Sequence, residues 1–189
     1  MSKQQRAVKI SVLSRATSEA VYDVLADLRS HLVWTGSRQT SMYHLEALEA
    51  PAGPAQVGTV FSSTGTIPMS VRRWHDRSVV KVADRPRTFE YLTEASTGPK
   101  GMAARYSHRY ELVPTDSGSR ITYTLTQLDA TRSLLRLVLP VVGGMSWRFG
   151  IPMFVRPALR NLAAMAEKEV AASRAPVSVP VSTIQMQEK

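Results

Sequence analysis

Residues 8–34 read VKISVLSRATSEAVYDVLADLRSHLVW, and this stretch decides the fold because it joins a strand directly to an amphipathic helix. Apolar residues first alternate with polar ones, as in a half-buried strand, at Val8, Ile10 and Val12. Thr17 then offers a side-chain oxygen as a helix N-cap. The following apolar residues recur at i, i+3, i+4 and i+7, at Val21, Val24, Leu25 and Leu28. The stretch predicts a first strand and a first helix that runs to about His31, with a second helical turn before Trp34.

Working outward from this stretch, six more segments are rich in Val, Thr, Tyr, Phe or Trp and are separated by turn-forming residues. They cover residues 43–50, 58–66, 71–83, 87–96, 103–113 and 119–128. The clearest turn is Asp116 to Gly118, because Asp closes a turn on its own backbone and Gly accepts a positive φ. After Asp129 the apolar period becomes helical, and we place a C-terminal helix near residues 153–172. The fold class predicted is α+β, with seven strands and a long final helix.

Length and composition favour one domain with one core. The chain has 189 residues, 43% of them apolar, and a formal net charge of +9, which favours anionic partners over neutral ones. We expect a flexible segment over residues 1–7, a domain over 8–173 and a disordered tail over 174–189. The absence of cysteine excludes disulfides and thiolate zinc sites. The N-terminus shows no secretory or transit signal, so a cytoplasmic location is expected, with a peripheral membrane association as an alternative.

Four motifs, in this order and spacing, carry a family resemblance. They are residues 17–34, GTVFSST at 58–64, Trp74 followed by DRPRTFEY at 84–91, and the hairpin DSGSRITY at 116–123. Over residues 8–172 the chain resembles the START-like (SRPBCC) superfamily and its polyketide cyclase/dehydrase and lipid-transport group. The resemblance implies a helix-grip fold, in which a curved antiparallel sheet wraps around the C-terminal helix and encloses a ligand cavity. It leaves the function open, because the superfamily includes carriers, cyclases, hydroxylase components and stress proteins.

In the fold that the chain resembles, alternate residues of each strand face the cavity. Tyr106, His108 and Tyr110 share one side of their strand, whereas Arg105 and Arg109 take the other, so we expect the rings inside. The full set of expected cavity residues is Trp34, Phe89, Tyr91, Tyr106, His108, Tyr110, Tyr123, Phe154, Leu159 and Leu162. An apolar cavity with a few polar groups is the usual form of a small-molecule site, although sheet tyrosines also serve as ordinary packing residues.

The candidates for catalysis are His108 and Tyr106. His108 is the one group titrating near neutral pH that the alternation places inside, where it would act as a base or be a satisfied buried histidine. We expect His31, His44 and His75 at the surface or at helix ends. No histidine pair has metal-ligand spacing, and the sequence shows no Ser-His-Asp order, phosphate loop or dinucleotide fingerprint, so neither a metal nor a cofactor is predicted.

Residues 131–151 form an apolar and basic insertion before the final helix. Residues 130–166 hold five arginines and no Asp or Glu, and the two prolines and the Gly pair make residues 134–155 a poor spanning helix. The residues predicted to contact a membrane, or to form a lid, are Leu135, Arg136, Leu139, Val142, Trp147 and Arg148. The alternatives are a solvated arginine face with an apolar cavity cap, or a homodimer contact. Nucleic acid is disfavoured because no recognised motif organises the charges.

Three functional hypotheses follow. The leading one is binding or transport of a hydrophobic small molecule, a lipid or polyketide-like compound. The alternative is a cofactor-independent polyketide aromatase/cyclase that uses His108 and cavity tyrosines for acid/base catalysis. The third is an interaction protein whose core is filled by its own side chains, helped by eight methionines. A single visible acid/base candidate favours binding over catalysis.

Overall fold

The computed structural model describes residues 6–36, 44–66, 73–97, 103–130 and 146–174. The strands are β1 (Arg6–Ser14), β2 (His44–Glu49), β3 (Val60–Thr66), β4 (Arg73–Asp84), β5 (Thr88–Ser96), β6 (Ala103–Thr115) and β7 (Gly118–Ala130). The helices are α1 (Ser18–Ala26), α2 (His31–Gly36) and α3 (Ile151–Arg174), with a 3₁₀ turn at Leu28–Ser30 and a π-helical segment at Ser146–Gly150. Every strand ends within two residues of its predicted bounds.

The strands form one antiparallel sheet in the order β1-β7-β6-β5-β4-β3-β2. Strands β2 to β7 follow one another along the sheet, while β1 pairs with β7 at the far edge. The connection that holds α1 and α2 therefore runs from one edge of the sheet to the other. This is the predicted α+β helix-grip architecture, with short helices after strand one and a long C-terminal helix.

Helix α1 begins as predicted and ends earlier. The Ala20 amide donates to Thr17 Oγ1 at 3.3 Å, which confirms the N-cap. At Asp27 the backbone leaves the helical region, and the Asp27 carboxylate accepts from the Arg29 amide at 3.2 Å, opening the 3₁₀ turn. The predicted single helix to His31 is therefore interrupted, because Asp27 ends α1 and caps the next turn.

Helix α3 packs on β1, α1 and α2 through one stripe. The stripe is buried at Leu159, Leu162, Ala163 and Ala166. Near its end, Glu167 Oε1 accepts from the Arg15 amide at 2.7 Å and from Ser14 Oγ at 3.1 Å. These two bonds fix the C-terminal half of α3 to the end of β1.

The β6–β7 hairpin forms at the predicted turn and packs on the same end of β1. Gly118 has a φ of +145°, and a Cβ atom there would lie 2.2 Å from the Ser14 carbonyl oxygen. Ser119 Oγ donates to the Ala16 carbonyl at 2.9 Å. Glycine is therefore required at position 118 both by the backbone angle and by the close approach of β1.

Candidate functional site

The inner face of the sheet, which α1 and α2 cover, is aromatic. Phe89 is fully buried, and Tyr91, Tyr110 and Tyr123 are nearly so. The neighbouring charged residues lie on the outer face, where Arg109 Nη1 donates to Glu90 Oε2 at 2.9 Å. The structure thus places the strand aromatics of the expected set inside, with Tyr106 half-buried beside them.

Tyr91 lies at the centre of a ring cluster. It stacks on His108 with centroids 4.6 Å apart and planes at 12°, and it meets Phe61 edge-on at 5.2 Å. From the helical side, His31 approaches the Tyr91 ring at 6.3 Å, and Trp34 approaches Tyr110 at 6.4 Å. Beneath α2 the inner face is therefore packed by the protein's own rings.

One ring nitrogen of His108 forms a hydrogen bond, and the other has none within the described residues. Its Nδ1 lies 2.8 Å from the Tyr123 hydroxyl, whereas its Nε2 is buried with no hydrogen-bond partner within the described residues. Burial, with a smaller contribution from nearby His31, lowers the pKa of His108 to about 3. The imidazole is therefore neutral at physiological pH, and its Nε2 can accept or donate one hydrogen bond according to the tautomer.

Asp76 is a second titratable group on the inner face, and the sequence analysis missed it. It alternates on β4 with Trp74, Ser78 and Val80, all buried, and its Oδ1 is buried without a hydrogen-bond partner in the described part of the chain. Burial raises the pKa of Asp76 to about 7. The sequence RWHDRSVV at residues 73–80 already indicated this position, because alternate residues of a strand share a face and Asp76 is two residues after Trp74.

Polar side chains lie between Asp76 and His108 on the inner face. Ser78 Oγ and Thr93 Oγ1 are buried and 2.8 Å apart, and Thr93 pairs across the strands with Tyr106. The next row holds Tyr91 opposite His108. We call the set Asp76, Ser78, Thr93, Tyr106, His108 and Tyr123 the polar track.

The polar track begins at a cleft of about 540 Å³, at the end of the sheet where β4 starts and β5 ends. The cleft is lined by His75, Asp76, Arg77, Glu94, Ala95, Ser96, Ala103, Ala104, Arg105 and Asp129. Asp76 lies in one cross-strand row with Ala95 and Ala104, whose methyl groups leave space beside the carboxyl group. Asp76 is therefore the polar-track residue that also lines the cleft.

Two tyrosine hydroxyls on the inner face, those of Tyr106 and Tyr91, are held in their protonated form. Burial raises the pKa of Tyr106, and the nearby Asp76 carboxylate raises it further. Burial is also the main cause of the raised pKa of Tyr91, to which Asp76 contributes and which a hydrogen bond with Tyr110 partly offsets. At neutral pH these phenols are hydrogen-bond donors rather than phenolates.

The other predicted site residues are placed as follows. Trp34, Leu159 and Leu162 are buried in the core, and Phe154 is half-buried in the first turn of α3. Arg148 is exposed in the π-helical segment that also holds Trp147. The predictions for Leu135, Arg136, Leu139 and Val142 fall outside the described residues.

Two of the three other histidines lie at a helix end or at the surface, as predicted, but His31 is also buried. His31 starts α2 but is 3% exposed, and its Nε2 donates to the Leu25 carbonyl at 2.9 Å. Burial lowers the pKa of His31 to about 4. The cause is the break at Asp27, which turns the chain so that His31 faces the sheet. His75 is exposed, as expected.

Two further properties bear on function. Within the described ranges, no three His, Asp or Glu side chains converge to hold a metal ion. No helix in the same ranges is long and apolar enough to cross a membrane.

The seven-stranded antiparallel sheet with a long C-terminal helix is the helix-grip fold to which the sequence resemblance pointed. The chain belongs to the Polyketide cyclase / dehydrase and lipid transport family, whose profile matches residues 5–167. No curated protein matches it.

Solved structures share the fold. The Zhui aromatase/cyclase from Streptomyces sp. R1128 is 14% identical with a TM-score of 0.61, over 92% of this chain and 100% of that one. A Chromobacterium violaceum protein is 12% identical with a TM-score of 0.59, over 85% and 97%. A Mycobacterium smegmatis protein is 17% identical with a TM-score of 0.58, over 84% and 89%.

Proposed function

We propose that the protein binds a hydrophobic, oxygen-bearing small molecule of polyketide type along the polar track and catalyses proton transfer on it without a cofactor. The observation that supports this is Asp76, a half-buried carboxyl group that lines a cleft and has a pKa of about 7. A general acid/base works best when its pKa is near the operating pH. The sequence favoured a carrier because it showed a single acid/base candidate, and Asp76 is a second.

The reaction that fits is an aldol ring closure followed by loss of water. Asp76 as carboxylate takes a proton from a carbon between two carbonyl groups. The resulting enolate carbon bonds to the carbon of a further carbonyl group, and the new alkoxide takes the proton back from the Asp76 carboxyl group. A second C–H proton and the hydroxyl group then leave, so that the net change is loss of one water molecule.

The remaining polar-track residues would orient the substrate. Tyr106, with its raised pKa, would donate a hydrogen bond to the oxygen that becomes negative, as an oxyanion stabiliser does. Neutral His108, held by Tyr123, presents Nε2 for a carbonyl or hydroxyl group deeper along the track. The stacked rings around Tyr91 supply apolar contact for a fused or nascent ring system.

The test is turnover of a synthetic poly-β-ketone thioester by the full chain, with products separated by chromatography. Asp76→Asn should lower the cyclisation rate by about 10²-fold or more while native circular dichroism is retained. Glu94→Gln is the matched control: this carboxylate lines the same cleft, but it lies on the outer face beside Arg105, so its rate should stay close to wild type. An Asp76→Asn rate equal to wild type, or product formation no faster than in buffer, would contradict the proposal.

The second candidate is a carrier that holds the same class of ligand without changing it. The aromatic inner face favours it, since ring packing binds a ligand with or without chemistry. Native mass spectrometry of freshly purified protein, followed by organic extraction, separates the two. A retained and unchanged lipid or polyketide, in the absence of turnover, would establish the carrier.

A further inference from the structure

Two large apolar side chains are exposed to solvent near the start of the C-terminal helix α3. Phe149 is 62% exposed and Met153 is 60% exposed, although α3 buries its other face completely at Leu162. Exposed apolar side chains are common singly, but a pair four residues apart at a helix start forms a patch. Neither residue contributes to the polar track or the cleft.

The apolar pair continues into a basic row. Met153, Arg156 and Arg160 follow at i, i+3 and i+7 in α3, a spacing that sets them on one helix face, and all three are exposed. Arg148 holds its guanidinium 5.7 Å from the centre of the Phe149 ring. We call Arg148, Phe149, Met153, Arg156 and Arg160 the basic-apolar stripe.

The charge of the basic-apolar stripe is uncompensated. Residues 130–166 contain no Asp or Glu, and none of the ion pairs in the described residues involves Arg148, Arg156 or Arg160. The first acidic residue further along α3, Glu167, is bonded to the end of β1. Strand β1, which contacts the π-helical segment, starts with exposed Arg6.

We propose that the basic-apolar stripe docks the protein on an anionic phospholipid bilayer. Phe149 and Met153 would enter the boundary between headgroups and acyl chains, while the arginines meet the headgroup phosphates. An acidic protein surface would account for the arginines, but it leaves the exposed pair without an apolar partner. The docking is independent of the acid/base proposal, because it uses no residue of the polar track.

The test is co-sedimentation of the full chain with phosphatidylcholine vesicles, with and without phosphatidylglycerol. Binding should require phosphatidylglycerol and should be lost as NaCl rises from about 0.1 M to about 0.5 M, because salt screens the headgroup attraction. Arg156→Gln with Arg160→Gln should weaken binding about 25-fold, at about fivefold for each arginine. Phe149→Ser with Met153→Ser should weaken it about 10-fold or more.

The matched control is Leu13→Ser with Arg120→Gln, an exposed apolar and basic pair opposite each other on β1 and β7 and outside the basic-apolar stripe. This variant should bind as wild type does. Equal loss in the control, or no binding to either vesicle, would overturn the proposal. Salt-sensitive binding to polyglutamate without binding to the vesicles would do the same and would identify an acidic protein partner instead. Melting temperatures of all variants should match wild type because every changed side chain is exposed.

Discussion

Replacing Asp76 by Asn should stabilise the fold, and more so at pH 8 than at pH 5. Burial raises the pKa of Asp76 from 3.8 to about 7. A carboxyl group with a higher pKa in the folded chain keeps its proton longer there, so the free energy of unfolding falls as pH rises from about 3.8 to about 7. The shift corresponds to a cost of about 4 kcal/mol at pH 8 and about 2 kcal/mol at pH 5, and residual solvent contact lowers both. Asn keeps the shape and removes the charge.

The assay is urea unfolding followed by circular dichroism, for wild type and Asp76→Asn at both pH values. The gain in free energy of unfolding should be larger at pH 8 by about 2 kcal/mol, with the same denaturant slope. A variant that is equally stable or equally destabilised at both pH values would show that Asp76 ionises normally and would refute the reasoning. Stabilisation on removing a buried charge is the expected mark of a group kept for function.

Two further predictions concern stability. Gly118→Ala should lower the melting temperature, at a cost of about 1–3 kcal/mol or more, because its Cβ would meet the Ser14 oxygen. Gly53→Ala, at a φ of +87° but in open space, should cost less, and equal effects would contradict the close approach. In the Asp76→Asn variant, the free energy of unfolding should fall by about 4 kcal/mol between pH 8 and pH 5. The reason is that His31 and His108 take up protons near pH 6.5 in the unfolded chain, whereas in the folded chain their pKa values are about 4 and about 3. A flat profile from denaturant titrations would show that these rings are not buried neutral.

The sheet was predictable because its outer face is marked by charge. Arg105 and Arg109 alternate with Tyr106 and His108, so the alternation alone assigns each residue of this part of β6 to the outer or the inner face. On β4, the assumption that charged residues face solvent is wrong for Asp76, because this residue lies on the inner face with Trp74. A group that breaks the local pattern is expected at a functional site, and alternation with Trp74 was the clue to weigh above charge.

His31 was not predictable from periodicity. The apolar spacing from Val21 to Leu28 is regular, but α1 ends before Asp27 and a 3₁₀ turn begins after it. This break changes which residues face the sheet, and it brings His31 against Trp34 with ring centroids 4.8 Å apart. A cap within an apparently regular helix depends on tertiary packing as well as on the residue that forms it.

We expect substitution of Asp76 to distinguish a carrier from an enzyme. A carrier needs no carboxyl group with a pKa near 7, whereas an enzyme that transfers protons at neutral pH works best with a group of this kind. The effect of Asp76→Asn on turnover and on ligand retention would therefore assign the role: loss of both indicates a binding residue, and loss of turnover alone indicates the catalytic base.

The most direct test of the account is a ¹³C NMR titration of the Asp76 carboxyl group, with Asp76→Asn used to assign the signal. The measurement is made on the free protein and again with a non-cyclising β-diketone. We expect a midpoint of about 7 in the free protein, which moves when the diketone occupies the polar track. A midpoint near 3.8 that the diketone leaves unchanged would contradict the central claim that Asp76 is a buried acid/base facing the ligand.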